Sequence, residues 1–526
     1  MVNPNGIVFG ENAQLDVGGS FIATTANSIQ FEDGIEFAAK NAEAKPTLTV
    51  SVPIGLGFAG DNGAITVNGN GSQIKSDTRF SPIDIGNSAT GLSVTSGKTL
   101  ALVGSEITFD GGIVTAEGGK IEIGSVNSGS VRFQEIDNDL AFGYENTDTY
   151  QDIALTQQAL LNASGEGSGA ISLTGNNISL SDSSFILIQN QGQVDSSSLN
   201  INAFESLTLS GTTSDQEVSS GIRSESLNTG QGAKIDISTR QLQLRDGAQI
   251  IDNTYSEVSG SNILIGASDS IEVFGGSISA GTFAEGEAGG VQLSTGRLEI
   301  MEGGSITSST IGSGDGGEVT INADSIDVAG RVSIDRSNIA AVSFNSGNAG
   351  SLNINTKQLR IRDQALVNTS ARATGNAGSI TINASESIEV SGTNKNFPST
   401  IRAGVELTNS EARKIFKLPE VPSGNAGNII INSPKLDVIN EGVVNVSNEG
   451  TGDAGTLFIN AEKVNLYDTG SILATTASGT GGNINLSTQN LEIGVGSKIT
   501  ATAENDGDGG NININTTNLI AKKTVK

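Results

Sequence analysis

The residues that could perform chemistry in this chain are mainly its carboxylates, because histidine and cysteine are both absent. Their absence excludes a Ser-His-Asp triad, a Cys-His pair and zinc sites built on imidazole or thiolate. The 57 acidic and 29 basic residues give a formal charge of −28 at pH 7. That charge argues against binding to nucleic acid or to an anionic membrane. Catalysis would have to depend on Asp, Glu, Lys, Arg or Tyr.

Three arrangements of residues could form a site. Asp315, Asp453, Asp506 and Asp508 lie in glycine-rich turns, where carboxylates could bind Ca²⁺. Neither the EF-hand spacing nor the GGxGxDxUx nonapeptide is present, so solvated turn acids are favoured. The run Gly55–Gly60 matches G-x-G-x-x-G, but turn and strand patterns follow it, which favours turn glycines over a dinucleotide site.

Paired carboxylates could also cleave polysaccharides. Sugar-active clefts usually contain aromatic rings, and the chain has no Trp and four Tyr. We therefore predict that the protein is not an enzyme and needs no cofactor or metal.

The elements that would position these residues are set by a sequence repeat. The stretch GDGGEVTINADSIDV at Gly314–Val328 recurs as GNAGSLNINTKQLRI from Gly347 and as GNAGSITINASESIEV from Gly375. The apolar residue that closes the first strand of each copy occurs at Ile201, Ile237, Ile265, Leu293, Ile321, Ile354, Ile382, Ile431, Ile459, Leu486 and Ile514. Six of these ten gaps equal 28 residues. A recurring unit of this length is typical of a solenoid.

Within a copy, Val319 and Ile321 alternate with polar neighbours, which predicts a short strand with one inward face. A polar corner and two further short strands complete the unit. We predict an all-β chain folded as a right-handed parallel β-helix of about 28 residues per coil. Short insertions are expected at residues 211–230 and 394–423. The second should contain a short helix in Thr408–Leu418, with capping-box spacing from Thr408 to Glu411.

The corner after the first strand holds an amide in many copies. These residues are Asn202, Asn322, Asn355, Asn383, Asn432, Asn460 and Asn515. Amides stacked one coil apart can hydrogen-bond along the axis of the solenoid, which predicts a structural Asn ladder. The alternative is that Asn simply suits a turn.

The most specific motif lies near the start of the chain. It is NPNGI, formed by Asn3, Pro4, Asn5, Gly6 and Ile7. Proline followed by Asn-Gly predicts a tight turn. The run NPNGIVFGENAQLDVGGSFIATTANSIQF and the later run GKTLALVGSEITFDGGIVTAEGGKIEIGSV resemble filamentous haemagglutinin-like proteins of two-partner secretion systems (TpsA-type). The resemblance is greatest to the cyanobacterial set, and the repeats resemble that family's shaft.

The resemblance implies a secreted or cell-surface β-helix with a structural or adhesive role. Residues 1–75 would be the C-terminal part of a two-partner secretion (haemagglutination activity) domain, and residues 76–526 would be the shaft. NPNGI would be a secretion motif, recognised by an outer-membrane TpsB-type transporter. Other expected partners are a host-cell or matrix surface and further copies of the chain, but not nucleic acid. A polysaccharide-acting β-helix enzyme and a calcium-dependent surface-layer protein are the alternatives.

Members of that family carry a signal peptide and the first half of the secretion domain ahead of NPNGI. We expect this form to lack both. Expressed alone, it should then stay inside the cell.

The predicted inward face can be tested with a pair of substitutions. Ile321→Asp should destabilise the protein by several kcal/mol, because it places an unpaired charge in a narrow apolar core. Glu318→Gln, on the predicted outer face, should change the free energy of unfolding by less than about 0.5 kcal/mol. Denaturant titration of both variants measures the difference, and equal effects would contradict the assignment of faces.

Overall fold

The computed structural model describes residues 1–39, 51–76, 78, 80–86, 91–136, 139–167, 169–212, 218–392, 397–504 and 507–522. The chain forms two compact units, Met1–Leu242 and Gln243–Lys526. In these described ranges no helix has the length and apolar character needed to cross a membrane.

The first unit is built from short strands. They are β1 Ile7–Phe9, β2 Phe21–Thr24, β3 Ser28–Phe31, β4 Glu36–Ala38, β5 Pro53–Ala59, β6 Ile65–Asn68, β7 Leu92–Ser93, β8 Thr99–Gly104, β9 Ile107–Asp110, β10 Ile113–Thr115, β11 Lys120–Ile136, β12 Asp139–Tyr150, β13 Ile153–Thr156, β14 Leu160–Asn162, β15 Ala170–Leu180, β16 Phe185–Asn190, β17 Ser198–Leu209 and β18 Gly221–Ser226. The next strand, β19 Lys234–Arg245, contains the boundary between the units.

Most of these strands form three parallel columns, each with one strand from each successive coil. The first column runs through β2, β8 and the first halves of β11, β15 and β17. The second runs through β1, β6, β9, β13 and the second halves of β15 and β17. The third contains β7, β10, β14, β16 and β18. Each turn of the chain thus adds one strand to each column.

The second unit repeats this pattern more regularly. Its elements are β20 Gln249–Thr254, β21 Ile263–Phe274, β22 Ser277–Thr282, β23 Val291–Met301, β24 Ser305–Thr310, β25 Val319–Ala329, β26 Arg331–Val332, β27 Asp335–Arg336, β28 Asn338–Ser343, β29 Leu352–Arg362, β30 Leu366–Ala371, β31 Ile380–Ser391, β32 Thr400–Val405, α1 Ser410–Phe416, β33 Ile429–Ile439, β34 Val443–Asn448, β35 Thr456–Leu466, β36 Ser471–Thr476, β37 Asn483–Ile493, β38 Lys498–Ala503 and β39 Ile512–Ala521.

In this unit the first two strands of a coil form one long strand that continues round the corner. Val291 pairs with Val319, and Ile263 pairs with Val291, so consecutive coils are offset by 28 residues. The third strands, such as β22 and β24, stack separately with the same offset. The predicted all-β parallel β-helix is therefore confirmed, while its right-handedness stays a prediction.

The core lies inside the coils and is one side chain deep. Ile306 lies in the third strand of one coil, and Ile321 and Ile326 lie in the first and second strands of the next. All three side chains are almost completely buried. Glu318 lies on the outside and accepts a hydrogen bond from the Thr320 hydroxyl at 2.7 Å. The predicted inward position of Ile321 is confirmed.

The glycines of the G-x-x-G turns are needed because neighbouring coils approach closely there. A Cβ atom on Gly347 would lie 1.9 Å from the carbonyl oxygen of Gly314, and one on Gly378 would lie 1.8 Å from that of Gly350. These distances are far shorter than any van der Waals contact. The repeat therefore requires glycine for coil-to-coil contact, whatever backbone angle the turn adopts.

Both predicted insertions contain the third strand of a coil. In 211–230 this strand is β18, and in 394–423 it is β32, which pairs with β30 on one side and β34 on the other. Both strands were missed in the sequence because their segments are polar and rich in glycine. Residues 407–421 lie outside the strands and include α1. Its N-cap is Asn409, whose side-chain oxygen accepts the Ala412 N–H at 2.8 Å, so the predicted cap at Thr408 was wrong by one residue.

Two glycine substitutions test the close contact between coils. Gly378→Ala should destabilise the second unit by about 1–3 kcal/mol or more, because the added methyl group would meet the backbone of the coil beneath it. Gly266→Ala is the matched control, since nothing lies within 4 Å of its Cβ position. Denaturant titration should show a loss for the first variant and no loss for the second. A harmless Gly378→Ala would contradict the tight stacking.

Candidate functional site

The NPNGI motif folds into a turn built from its own groups. The Gly6 N–H donates to the Asn3 carbonyl at 3.1 Å. The Asn3 side chain accepts the Asn5 N–H at 3.3 Å and donates to the Gly6 carbonyl at 2.8 Å. Gly6 has a φ of +116°, a conformation that favours glycine. Asn3 and Gly6 therefore define the shape of the turn.

Backbone contacts attach this turn to the coil around it. The Asn3 N–H donates to Thr24 and the Ile7 N–H donates to Ala64, at 2.9 and 3.0 Å. The Gly63 N–H donates to the Pro4 carbonyl at 2.8 Å, and a Cβ on Gly63 would lie 2.4 Å from the Asn5 backbone. Gly63 is thus part of the site, although sequence analysis did not single it out. Only its contact with a residue nearly 60 positions away reveals the requirement.

An antiparallel sheet extends outside the columns in the first unit. β3 pairs with β4 and β5, while the second half of β11 pairs with β5 and β12. The sequence predicted no antiparallel sheet here, and the glycines of Gly55–Gly60 were predicted to lie in turns. Both glycines lie in β5, where a Cβ on Gly55 would meet the Val131 carbonyl at 2.7 Å. These glycines let neighbouring strands pack closely.

The apolar face of this sheet covers part of the β-helix. Leu56, Phe58, Val126 and Val131 form one buried cluster with Val103 of the first column. Such burial contributes about 1.5–3 kcal/mol for each large side chain. The sheet is therefore an integral part of the first unit.

A buried carboxylate fastens the β11–β12 hairpin to the wall. Glu122 accepts hydrogen bonds from the Tyr144 hydroxyl at 2.9 Å and the Ser172 hydroxyl at 3.3 Å, and pairs with the Lys120 ammonium at 3.1 Å. Gly124 leaves room for the phenol, since a Cβ there would lie 2.2 Å from the Tyr144 oxygen. Burial raises the pKa of Glu122, and the Lys120 charge opposes that shift only in part.

A second buried carboxylate holds the segment around Ile83 against the third column. Glu225 accepts the Ile83 N–H at 3.2 Å and the Gln189 amide at 2.7 Å, and pairs with Arg223 at 3.4 Å. Burial raises the pKa of Glu225, against the opposing effect of Arg223. This carboxylate fastens a surface segment to the wall in the same way as Glu122.

Members of the predicted Asn ladder lie on the outer face of the corner. The side-chain amide of Asn355 donates to Asn322 at 3.0 Å, Asn383 donates to Asn355 at 2.9 Å, and Asn432 donates to Asn383 at 2.9 Å. Asn460 pairs in register with Asn432, Asn202 with Thr174, and Asn515 with Ser487.

A second ladder lies in the G-x-x-G turns, where sequence analysis did not predict one. Its members are Asp315, Asn348, Asn376, Asn425, Asp453 and Thr480. In each step, the side-chain oxygen of one residue accepts the backbone N–H of the next, at 2.7, 3.0, 2.8, 2.9 and 2.8 Å. The signal was the Asn or Asp that follows the first glycine of each turn.

This second ladder gives Asp315 and Asp453 a structural partner in place of a metal. Asp508 forms a parallel bridge with Thr480, while Asp506 lies outside the described residues. Within the part of the chain that the structure describes, no group of three or more acidic side chains could hold a metal ion.

The fold is a parallel β-helix whose first unit carries an antiparallel extension. Residues 1–173 match the family model for the TPS secretion domain. No curated protein matches the chain. The match supports a two-partner secretion exoprotein, which implies interaction with a TpsB outer-membrane transporter and export to the cell surface or the extracellular space. The match extends to residue 173 and does not test where the secretion domain ends and the shaft begins. The division at residue 75 therefore stays a prediction.

The raised pKa of Glu122 predicts a pH dependence of the hairpin. A carboxyl whose pKa is higher in the folded state contributes stability below its unfolded value, near 4.5, and that stability is lost as pH rises through the folded value. Amide protection in residues 126–136 and 139–150, corrected for intrinsic exchange, should therefore decrease as pH rises above about 4.5 in the wild type. Glu122→Gln should abolish this dependence.

Glu492→Gln serves as the control, because the Tyr467 hydroxyl lowers the pKa of that carboxyl and it lies in the other unit. It should leave hairpin exchange unchanged. A wild-type hairpin whose protection does not vary with pH would contradict the assigned role of Glu122.

Proposed function

We propose that the chain is a secreted, non-catalytic surface protein with a structural and adhesive role. Residues 1–75 would act in secretion and residues 76–526 would form the shaft. The observation that carries the proposal is the NPNGI turn, which lies within the TPS secretion domain match and whose shape is set by internal hydrogen bonds. A TpsB-type transporter would recognise this turn on the outside of the first coil.

The exposed part of the turn is small. Pro4 and Ile7 are buried, whereas Asn5 is exposed and Val8 in β1 is 71% exposed. Recognition would therefore involve Asn5 and Val8, while Asn3, Gly6 and Gly63 hold them in place.

The use of the acidic side chains supports a non-catalytic role. Glu122 and Glu225 are buried and hydrogen-bonded, and Asp315 and Asp453 belong to the turn ladder. Catalytic carboxylate pairs must instead face a shared substrate. The chain's formal charge of −28 favours solubility outside the cell.

Contact with other surfaces is the proposed role of the shaft, and the partners are a host-cell or matrix surface and further copies of the chain.

Secretion assays test the role of the turn. The chain would be expressed behind a cleavable export signal, together with a TpsB-type transporter, in a Gram-negative host. Asn3→Ala and Gly63→Ala should strongly reduce the secreted fraction, because both distort the turn. Asn5→Ala should also reduce it, because it removes an exposed contact while leaving the backbone hydrogen bonds in place.

Asn460→Ala is the control, since this exposed Asn lies in the second unit. Its secretion should match that of the wild type. Circular dichroism of each purified variant separates unfolding from failed recognition. Wild-type secretion of both Asn3→Ala and Asn5→Ala would contradict the proposed role of the motif.

A further inference from the structure

The outer Asn ladder lines a groove on the second unit. Two neighbouring recesses border the ladder, with volumes of about 620 and 610 Å³. The first lies at the corner that follows the ladder residues, and the second lies on the first strands just before them. Asn355, Asn383, Asn432 and Asn460 line the first recess. Asn485, Ser487, Asn513, Asn515 and Phe458 line the second. Because Asn460 pairs in register with Ser487, the ladder position is common to both recesses.

Small side chains leave this groove open. Ala384, Ser433 and Ala461 line the first recess and are nearly buried. They occupy the position next to the ladder residue in their coils, which Thr356 occupies in the preceding coil. The groove thus follows from the repeat itself.

The ladder amides keep hydrogen-bonding capacity for a ligand. An amide has two N–H donors and two acceptor lone pairs. Asn383 uses one donor towards Asn355 and one lone pair towards Asn432. Asn355 is used in the same way, and both residues are exposed. Each therefore presents a second donor and a second acceptor to the groove.

An aromatic ring lies on the same outer face. Phe458 precedes Asn460 by two residues on β35 and is 43% exposed, and it pairs in register with Ile430. An exposed ring beside donors and acceptors is the combination that binds a sugar, because a sugar has apolar C–H faces and hydroxyl edges.

Charge and spacing narrow the ligand to one class. The first recess includes the Glu462 carboxylate, which disfavours an anionic chain. The amides repeat once per coil, or about 4.8 Å. A residue of an extended peptide advances only about 3.3 Å, so its backbone groups would not match this spacing. One ring of a linear polysaccharide advances the chain by close to one coil.

We propose that this groove binds a linear, uncharged polysaccharide lying along the axis of the second unit. The ladder amides would hydrogen-bond successive sugar hydroxyls, and Phe458 would pack against one ring. All three ladder hydrogen bonds point from a later coil to an earlier one, so the groove favours one direction of the bound chain. This inference rests on the proposed adhesive function and names the class of surface that the protein contacts.

Calorimetric titration of the full chain tests the proposal. The probes are β-1,4-linked hexasaccharides of glucose, mannose and N-acetylglucosamine, with an α-1,4-linked galacturonic acid hexasaccharide as the charged comparison. At least one neutral probe should bind, and the charged probe should bind more weakly. Absence of binding by all three neutral probes, or preference for the charged one, would overturn the proposal.

Two variants locate the site. Asn383→Ala should weaken binding of the neutral probe about fivefold, as expected for one lost hydrogen bond. Phe458→Ala should weaken it by about fivefold or more through loss of ring contact. Asn376→Ala is a matched control, because Asn376 lies seven residues earlier in the same coil and belongs to the turn ladder. Equal losses for Asn383→Ala and Asn376→Ala would place binding elsewhere.

Adhesion of the same proteins to surfaces coated with the bound polysaccharide separates this inference from the proposed function. If Asn383→Ala and Phe458→Ala adhere as well as the wild type, the proposed binding groove is wrong and the adhesive role still stands. If the protein binds the soluble probe but does not adhere to the coated surface, the proposed groove still stands and the adhesive role is wrong.

Discussion

The structure depends on the close approach of successive coils at their glycine turns. There the Cβ position of one glycine falls within about 2 Å of a carbonyl oxygen in the coil beneath it, so no larger residue fits. This contact fixes the spacing at which strands pair, apolar side chains stack and amides meet. A single coil would bury too little apolar surface to offset the entropy lost on ordering, and stacking supplies the missing contacts.

The outside of the molecule follows from the same stacking. Any residue type that recurs at one position of the repeat becomes a line along the wall, which explains the outer Asn ladder and the ladder of Asp and Asn in the turns. The first unit departs from this regularity. Its antiparallel sheet is held by Glu122 and Tyr144 and gives the N-terminal coils a surface that the repeats lack. The distinct features of the secretion domain match therefore lie where the repeat is interrupted.

The parallel β-helix and the inward position of Ile321 could be predicted because each depends on local alternation repeated every 28 residues. The antiparallel sheet could not, since β3 and β11 look like ordinary short strands and their pairing through β5 joins segments far apart in sequence. The strand β32 was hidden by a sequence that lacks the usual alternation. Gly63 was missed because glycine is needed there only through the contact with Asn5, and no local sequence pattern indicates that contact.

The most direct test of this account is the register between coils, measured by disulfide formation. The chain has no cysteine, so introduced pairs can be studied without background. Asn353 pairs with Thr381, 28 residues later, and adjacent strands about 4.8 Å apart can be joined by a disulfide. The account predicts that Asn353→Cys with Thr381→Cys crosslinks on oxidation, whereas Asn353→Cys with Asn383→Cys, displaced by two residues, does not. Equal or reversed efficiencies would contradict the stacking of 28-residue coils.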